Sequence, residues 1–247
     1  MANAAFAASD KQPPPAGAFH GAPPEFTRFS PAELQQGFLA LAFGSDLRIG
    51  AKPRSIRRFD RPIVARILPG GSTDRSAAMT GIIEEYAAKV PNLHLTVTTA
   101  ATPEADIEIR LIDEKNFKPA LRATFGDAVT KEFVARTDPQ CMTSVKSTAE
   151  GAILRSISFI IVDKGDRIFL DCAYHELLHA FGLSNHDQRN PWTTLNQRRL
   201  VGYLTVYDRT LLTALYDPRI SPGMTVGQVR GALPAVFSDL GFKSEKR

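Results

Sequence analysis

The chain has 247 residues, 43% of them hydrophobic, and a formal net charge of +4, which is enough apolar material for one domain of ordinary size. No run approaches the ~18 apolar residues of a bilayer span. The basic residues fall in scattered pairs such as Arg57-Arg58 and Arg198-Arg199 without interleaved aromatics, so neither a membrane span nor nucleic-acid binding is expected, and the mild charge supports only weak attraction to anionic surface polymers.

The segment MANAAFAASDKQPPPAGAFHGAPPEF is rich in Ala, Pro and Gly and has no hydrophobic period. It cannot bury enough surface to offset its ordering entropy, so residues 1–29 are predicted to be a disordered lead and 30–247 a single domain. Ser30-Pro31-Ala32-Glu33 starts a helix to about Phe43, with Leu34, Phe38 and Leu41 on one face and Gly44 as its stop. Pro62 to Leu68 reads as a strand closed by Pro69-Gly70-Gly71. Ser72 or Thr73 caps a second helix to Val90, whose apolar side is Met79, Ile82, Ile83 and Tyr86. Two alternating strands follow, with Leu93, Leu95 and Val97 inward in the first and Ile107, Ile109 and Leu111 in the second. Residues from about Lys115 to Glu150 have no regular pattern. Ile153 to Val162 reads as a strand and Leu170 to Phe181 as a helix that packs Ala173, Leu177, Leu178 and Phe181 on a sheet. Thr205 with Asp208 makes a capping box for a helix to about Tyr216. A short helix is expected at Thr225, interrupted by Pro234.

The chemistry-bearing run is HELLHAFGLSNH, His175 to His186. On a helix, His175 and His179 lie one turn apart on one face, so both imidazoles can reach one Zn2+ while Glu176 sits beside them to handle a proton. Such a string arises by chance in roughly 1 in 200 chains of this composition. Gly182 stands where the chain must leave the helix through a turn that glycine tolerates best. His20 and His94 read as surface histidines. Cys141 and Cys172 are the whole cysteine set; a disulfide between them would anchor the metal helix to the preceding loop and place the protein in an oxidising compartment.

This run resembles the metzincin pattern HExxHxxGxxH. That pattern puts the third ligand at Asn185, a poor zinc ligand. His186, one position late, is the expected third ligand; Asp187 is the alternative, and in the other reading His186 is solvent-exposed and the site binds metal weakly. The order of elements over roughly residues 60 to 217 is similar to a metzincin catalytic domain. The fold class that follows is α/β (α+β): a twisted mixed sheet, a backing helix, the HExxH helix and a C-terminal helix. The resemblance makes Ser156 to Val162 the edge strand beside a substrate cleft. It makes Leu195 the counterpart of the methionine in the turn below the metal, with Met224 as runner-up.

The segments LQQGFLALAFGSDLRIG from Leu34, SIRRFDRPI from Ser55 and LLTALYDPRISPGM from Leu211 also resemble a bacterial domain family of unknown function whose members are expected to be exported. The implied product is a monomer, secreted or periplasmic, with a signal peptide removed ahead of the lead. The implied activity is that of a zinc metallopeptidase with Glu176 as general base and a protein or peptide as substrate. The rival expectations are a non-catalytic zinc-binding or protein-binding module, and an amidase acting on cell-wall peptides.

Overall fold

The computed structural model describes residues 11–44, 54–98, 100, 105–135 and 139–242. In chain order the elements are β1 (Lys11–Gln12), β2 (Glu25–Phe26), α1 (Pro31–Phe43), β3 (Ile63–Pro69), α2 (Ser76–Lys89), β4 (Leu95–Thr98), β5 (Ile107–Ile112), α3 (Glu114–Val134), β6 (Cys141–Ser147), β7 (Ile153–Ile161), α4 (Asp166–Ala180), a 3-10 turn at Thr194–Asn196, α5 (Val206–Leu215) and α6 (Val226–Asp239). The main sheet runs β4-β3-β5-β7-β6, and only β6 is antiparallel to its neighbour. The fold is therefore mixed α/β, as the alternation of strand and helix patterns predicts.

Alternation sorts the two faces of the sheet. In register, Ile107, Ile109 and Leu111 of β5 lie opposite Ser156, Ser158 and Ile160 of β7, and this face receives α2 and α4. The two serines on a buried strand have a reason. Ser156 Oγ donates to the Ala180 carbonyl at 3.0 Å, and Ser158 Oγ lies 2.7 Å from Thr143 Oγ1, which donates to the Glu176 carbonyl at 3.2 Å. Small hydroxyls thus let α4 approach closely while every polar atom in this chain of contacts keeps a partner. On the opposite face, Phe117 and Leu121 of α3 cover Met142, Phe159 and Ile161 in a second, smaller core.

Four expectations are corrected. The strand from Ile153 is not at the edge: β7 pairs with β5 on one side and β6 on the other, so β6 is the edge strand. It lies in the stretch that lacked a pattern, because its two faces are unevenly covered and no clean alternation marks it. The same stretch contains α3, obscured by Pro119 and by Gly126, whose φ of 82° kinks the helix. The second helix begins at Ser76, capped by neither Ser72 nor Thr73, because Ser72 donates its N–H and hydroxyl to Asp113 instead. Pro234 does not interrupt α6. The Arg230 carbonyl, which proline leaves without its helical donor, accepts from Gln35 Nε2 at 2.9 Å, so α1 repairs the missing bond.

Residues 11–29 are likewise not a disordered lead. Phe19, Phe26 and Phe29 are buried in the main core, Phe26 stacks on Trp192, Glu25 accepts the Val206 N–H at the start of α5, and the Tyr203 hydroxyl donates to the Pro23 carbonyl. Each buried aromatic ring contributes about 1.5–3 kcal/mol, which a composition rule counting Ala, Pro and Gly overlooks. Residues 1–10 lie outside the described residues.

Cys141 and Cys172 form a disulfide that joins the first residue of β6 to α4 across a sequence separation of 31. Chain-entropy arguments for a loop of that length give about 4 kcal/mol of stabilisation. Calorimetry of a Cys141→Ser, Cys172→Ser double variant is therefore expected to show Tm lowered by roughly 10 °C. An unchanged Tm would mean that the reduced chain is held equally well by packing alone. Among the described residues, no helix is long and apolar enough to cross a membrane.

Candidate metal centre

The end of α4 is built for a sharp reversal. Phe181 is its C-cap, the Gly182 N–H donates to the His179 carbonyl, and the Leu183 N–H donates to the Leu178 carbonyl, the paired bonds of a Schellman turn. Gly182 has φ 120°, and a Cβ there would stand 2.0 Å from the Arg57 carbonyl oxygen, so both torsion and space demand glycine. The turn brings the Leu183 carbonyl back over the last helical turn, where it accepts from His179 Nδ1 at 2.6 Å.

His175 is fixed from another side. Its Nδ1 donates to the Thr194 carbonyl at 2.9 Å. Asp208 in turn holds that residue: its carboxylate accepts the Thr193 hydroxyl at 2.5 Å and the Thr194 N–H at 2.8 Å. Thr205 caps α5 by accepting the Asp208 N–H, as expected, but the Asp208 carboxylate does not return the bond. It braces the turn under His175. Leu195 is fully buried at the centre of this turn.

The late position of His186 also has a cause. Asn185 is turned away from the histidines onto the end of α1, where its N–H donates to the Leu41 carbonyl and its Nδ2 to the Ala40 carbonyl, while Ser184 Oγ donates to the Gly44 carbonyl. One residue is thus spent capping α1, and the next turns back to the site. Asp187, the alternative ligand, accepts from Arg189 and stays out of the cluster. Its N–H donates to the Leu195 carbonyl, so His186 is bracketed by backbone bonds on both sides.

The three imidazoles converge. His175 Nε2 lies 3.0 Å from His179 Nε2 and 3.0 Å from His186 Nε2, and the last two are 3.1 Å apart. Among the described residues this is the cluster of metal-ligating side chains that could hold an ion. Since His175 and His179 each give their Nδ1 proton to a carbonyl, their Nε2 atoms face each other as bare lone pairs, which repel unless a cation lies between them. Tetrahedral zinc with bonds of about 2.0–2.1 Å sets neighbouring nitrogens ~3.3 Å apart, and the observed spacing falls only a few tenths short. The donor set fits that ion. Burial, then the neighbouring imidazoles, push His175 well below its usual pKa and His179 down to about 3, so both are neutral and ready to ligate.

Glu176 is 3% exposed, and its Oε2 has no hydrogen-bond partner. Burial pushes its carboxyl up to about 8, against a lowering contribution from the Thr143 hydroxyl. A buried carboxyl oxygen beside a metal-ligating helix turn, with nothing to accept from, is costly unless a further group meets it there. Asp171, one turn before His175, accepts the Val201 N–H at 2.5 Å and so ties down the chain that leaves the site.

Residues 31–235 match the family described as Protein of unknown function (DUF2927). The chain belongs to that family. No curated protein and no solved structure matches it. The DUF2927 match begins with α1 and extends into α6, so it takes in the three histidines, Glu176, and the Asn185 contact through which α1 orients His186. Asn185→Ala removes the bond to the Ala40 carbonyl but none to an imidazole, so it is expected to leave the fold intact and to weaken zinc binding by less than the roughly 10- to 100-fold typical of losing a group bonded directly to a ligand. Competition against a chromophoric chelator measures this, and an unchanged affinity would mean that α1 has no part in placing His186.

Proposed function

We propose that this DUF2927 protein is a zinc-dependent hydrolase of the metzincin-like metallopeptidase type. The observation that carries the reading is the triangle of three Nε2 atoms at 3.0–3.1 Å, with Glu176, next in sequence to His175 on the same helix, buried and its Oε2 without a partner. Three histidine donors, grouped without a fourth ligating side chain among the described residues, are the set that catalytic rather than structural zinc sites use. When bound, zinc supplies Lewis acidity, lowering the pKa of water towards ~7 and polarising a carbonyl.

The remaining work falls to the chain. His175, His179 and His186 would hold the ion through nitrogens, with the first two rings oriented by the Thr194 and Leu183 carbonyls and the chain before His186 anchored by Asn185. Glu176 takes a proton from the attacking water and returns it to the leaving amine. Strand β6 supports a peptide as substrate: its outer edge has no partner strand among the described residues, and the disulfide and Thr143 tie it to α4. An extended peptide added to that edge would run alongside the strand that packs on α4, the helix carrying His175 and His179. The disulfide supports a secreted or periplasmic location.

The test is to measure zinc per chain in protein purified without added metal, then to screen peptide libraries and peptidoglycan fragments for cleavage. One equivalent with cleavage of either substrate class supports the hydrolase and separates peptidase from cell-wall amidase. One equivalent with no cleavage would favour a non-catalytic module, and no metal even after incubation with zinc at neutral pH would overturn the reading altogether.

A further inference from the structure

We infer that Gln197 is a built-in hydrogen-bond donor to the substrate oxygen, aimed at the mouth of the histidine triangle by a relay from Arg198 through Gln188. The inference rests on the metal reading above. Gln197 Nε2 lies 3.1 Å from His186 Nε2. It follows directly on the 3-10 turn at φ 59° and ψ −14°, one of two non-glycine residues with positive φ among the described residues. A long side chain rarely adopts that backbone without a constraint, and such outliers concentrate at functional sites.

The orientation of the amide is not arbitrary. Arg198 Nε can only donate, and it donates to Gln188 Oε1 at 3.1 Å. That makes the other end of Gln188 its NH2 group, which donates to Gln197 Oε1 at 3.3 Å. Gln197 must then present its own NH2 group to the histidines. One guanidinium thus settles two amides that could otherwise flip.

At present the Gln197 N–H points at the His186 Nε2 lone pair. Once that lone pair is committed to an ion, the amide, 3.1 Å from His186 Nε2, needs another acceptor. A carbonyl oxygen that gains negative charge during attack on a peptide bond supplies one. A preoriented neutral donor placed there favours the charged form of that oxygen and gains strength as the charge develops. Arg198 and Gln188 are positioning residues. Gln197 is the group that would touch substrate.

The experiment loads the full chain with Co2+ and titrates it with acetohydroxamate, following the visible spectrum of the metal. Its small anionic oxygens stand in for the charged substrate oxygen. Gln197→Ala is expected to keep one Co2+ per chain at wild-type affinity and to bind acetohydroxamate about 10- to 100-fold more weakly, the effect of losing one hydrogen bond to a charged acceptor. Gln188→Glu keeps the side-chain size and the bond from Arg198 but removes the donor to Gln197, so the Gln197 amide turns over. It is expected to show the same loss in acetohydroxamate binding with cobalt still bound, which a purely structural role would not produce. Unchanged hydroxamate affinity in Gln197→Ala overturns the inference. Loss of Co2+ from that variant also overturns it, because Gln197 would then be a ligand. A wild-type cobalt protein that ignores hydroxamate overturns it while leaving metal binding intact, whereas a wild-type chain that takes up no Co2+ overturns both this inference and the metal reading.

Discussion

His186→Ala is expected to abolish tight zinc binding while the protein stays folded. Apparent binding free energies of four-ligand structural zinc sites run to about 10–16 kcal/mol, so one ligand carries about 3–4 kcal/mol, or roughly a hundred- to a thousandfold in affinity. The fold should not suffer in proportion. His186 is only partly buried, and the backbone around it is held by Asn185 on one side and the Asp187–Leu195 bond on the other. Chelator competition gives the affinity, and a metal-free melting curve reports the fold. Asp187→Ala is the control: its carboxylate is engaged with Arg189, so zinc affinity should hold. A His186→Ala protein that kept wild-type affinity, or an Asp187→Ala protein that lost it, would mean that the third ligand had been assigned to the wrong residue.

The pair of variants also measures how far the sequence could be read. The spacing His175 to His179 and the glycine at 182 place two imidazoles and a reversal before any coordinates are known, because helix periodicity and the φ of a Schellman turn are local properties. The third histidine is different. That His186 rather than Asn185 or Asp187 turns inward depends on the end of α1, some 140 residues earlier in the chain, whose carbonyls take the Asn185 side chain. No local pattern carries that. The brace under His175 is similar, since Asp208 reads locally as a helix-capping residue and only the packing of α5 against the turn at Thr194 shows where its carboxylate goes.

The same distinction explains the sheet. β3, β5 and β7 are legible because one of their faces is covered by helices and their apolar residues alternate or crowd. Strand β6 is half open, polar on much of its length and joined to the core by a disulfide, so its composition resembles a loop. It is an edge strand, paired on one side only by β7 among the described residues, and most of its side chains are only partly covered, so no strict alternation arises. The lead segment failed in the opposite sense. Phe19, Phe26 and Phe29 are too irregularly spaced to form a period, yet all three are buried, with Phe26 stacked on Trp192, Phe29 against Tyr207 of α5 and Phe19 under Arg167.

Glu176→Gln is expected to stop hydrolysis without releasing zinc. Glutamine keeps the volume of the side chain and cannot accept a proton from water at neutral pH, so the loss should reach the 10²- to 10⁴-fold typical of a missing general base. The three imidazoles are untouched, and the bonds that orient them run to the Thr194 and Leu183 carbonyls. Metal content should therefore remain at one equivalent. Stability should not fall either, because the variant exchanges a carboxyl group that burial disfavours in its charged form for a neutral amide in the same place. Three measurements on one purified variant, zinc per chain, melting temperature and turnover of whichever substrate the screen identifies, separate the possible roles. A structural residue would lower the melting temperature, and a ligand would lower the zinc content. A general base would change turnover alone, and a Glu176→Gln protein that retained wild-type turnover would rule Glu176 out of the chemistry.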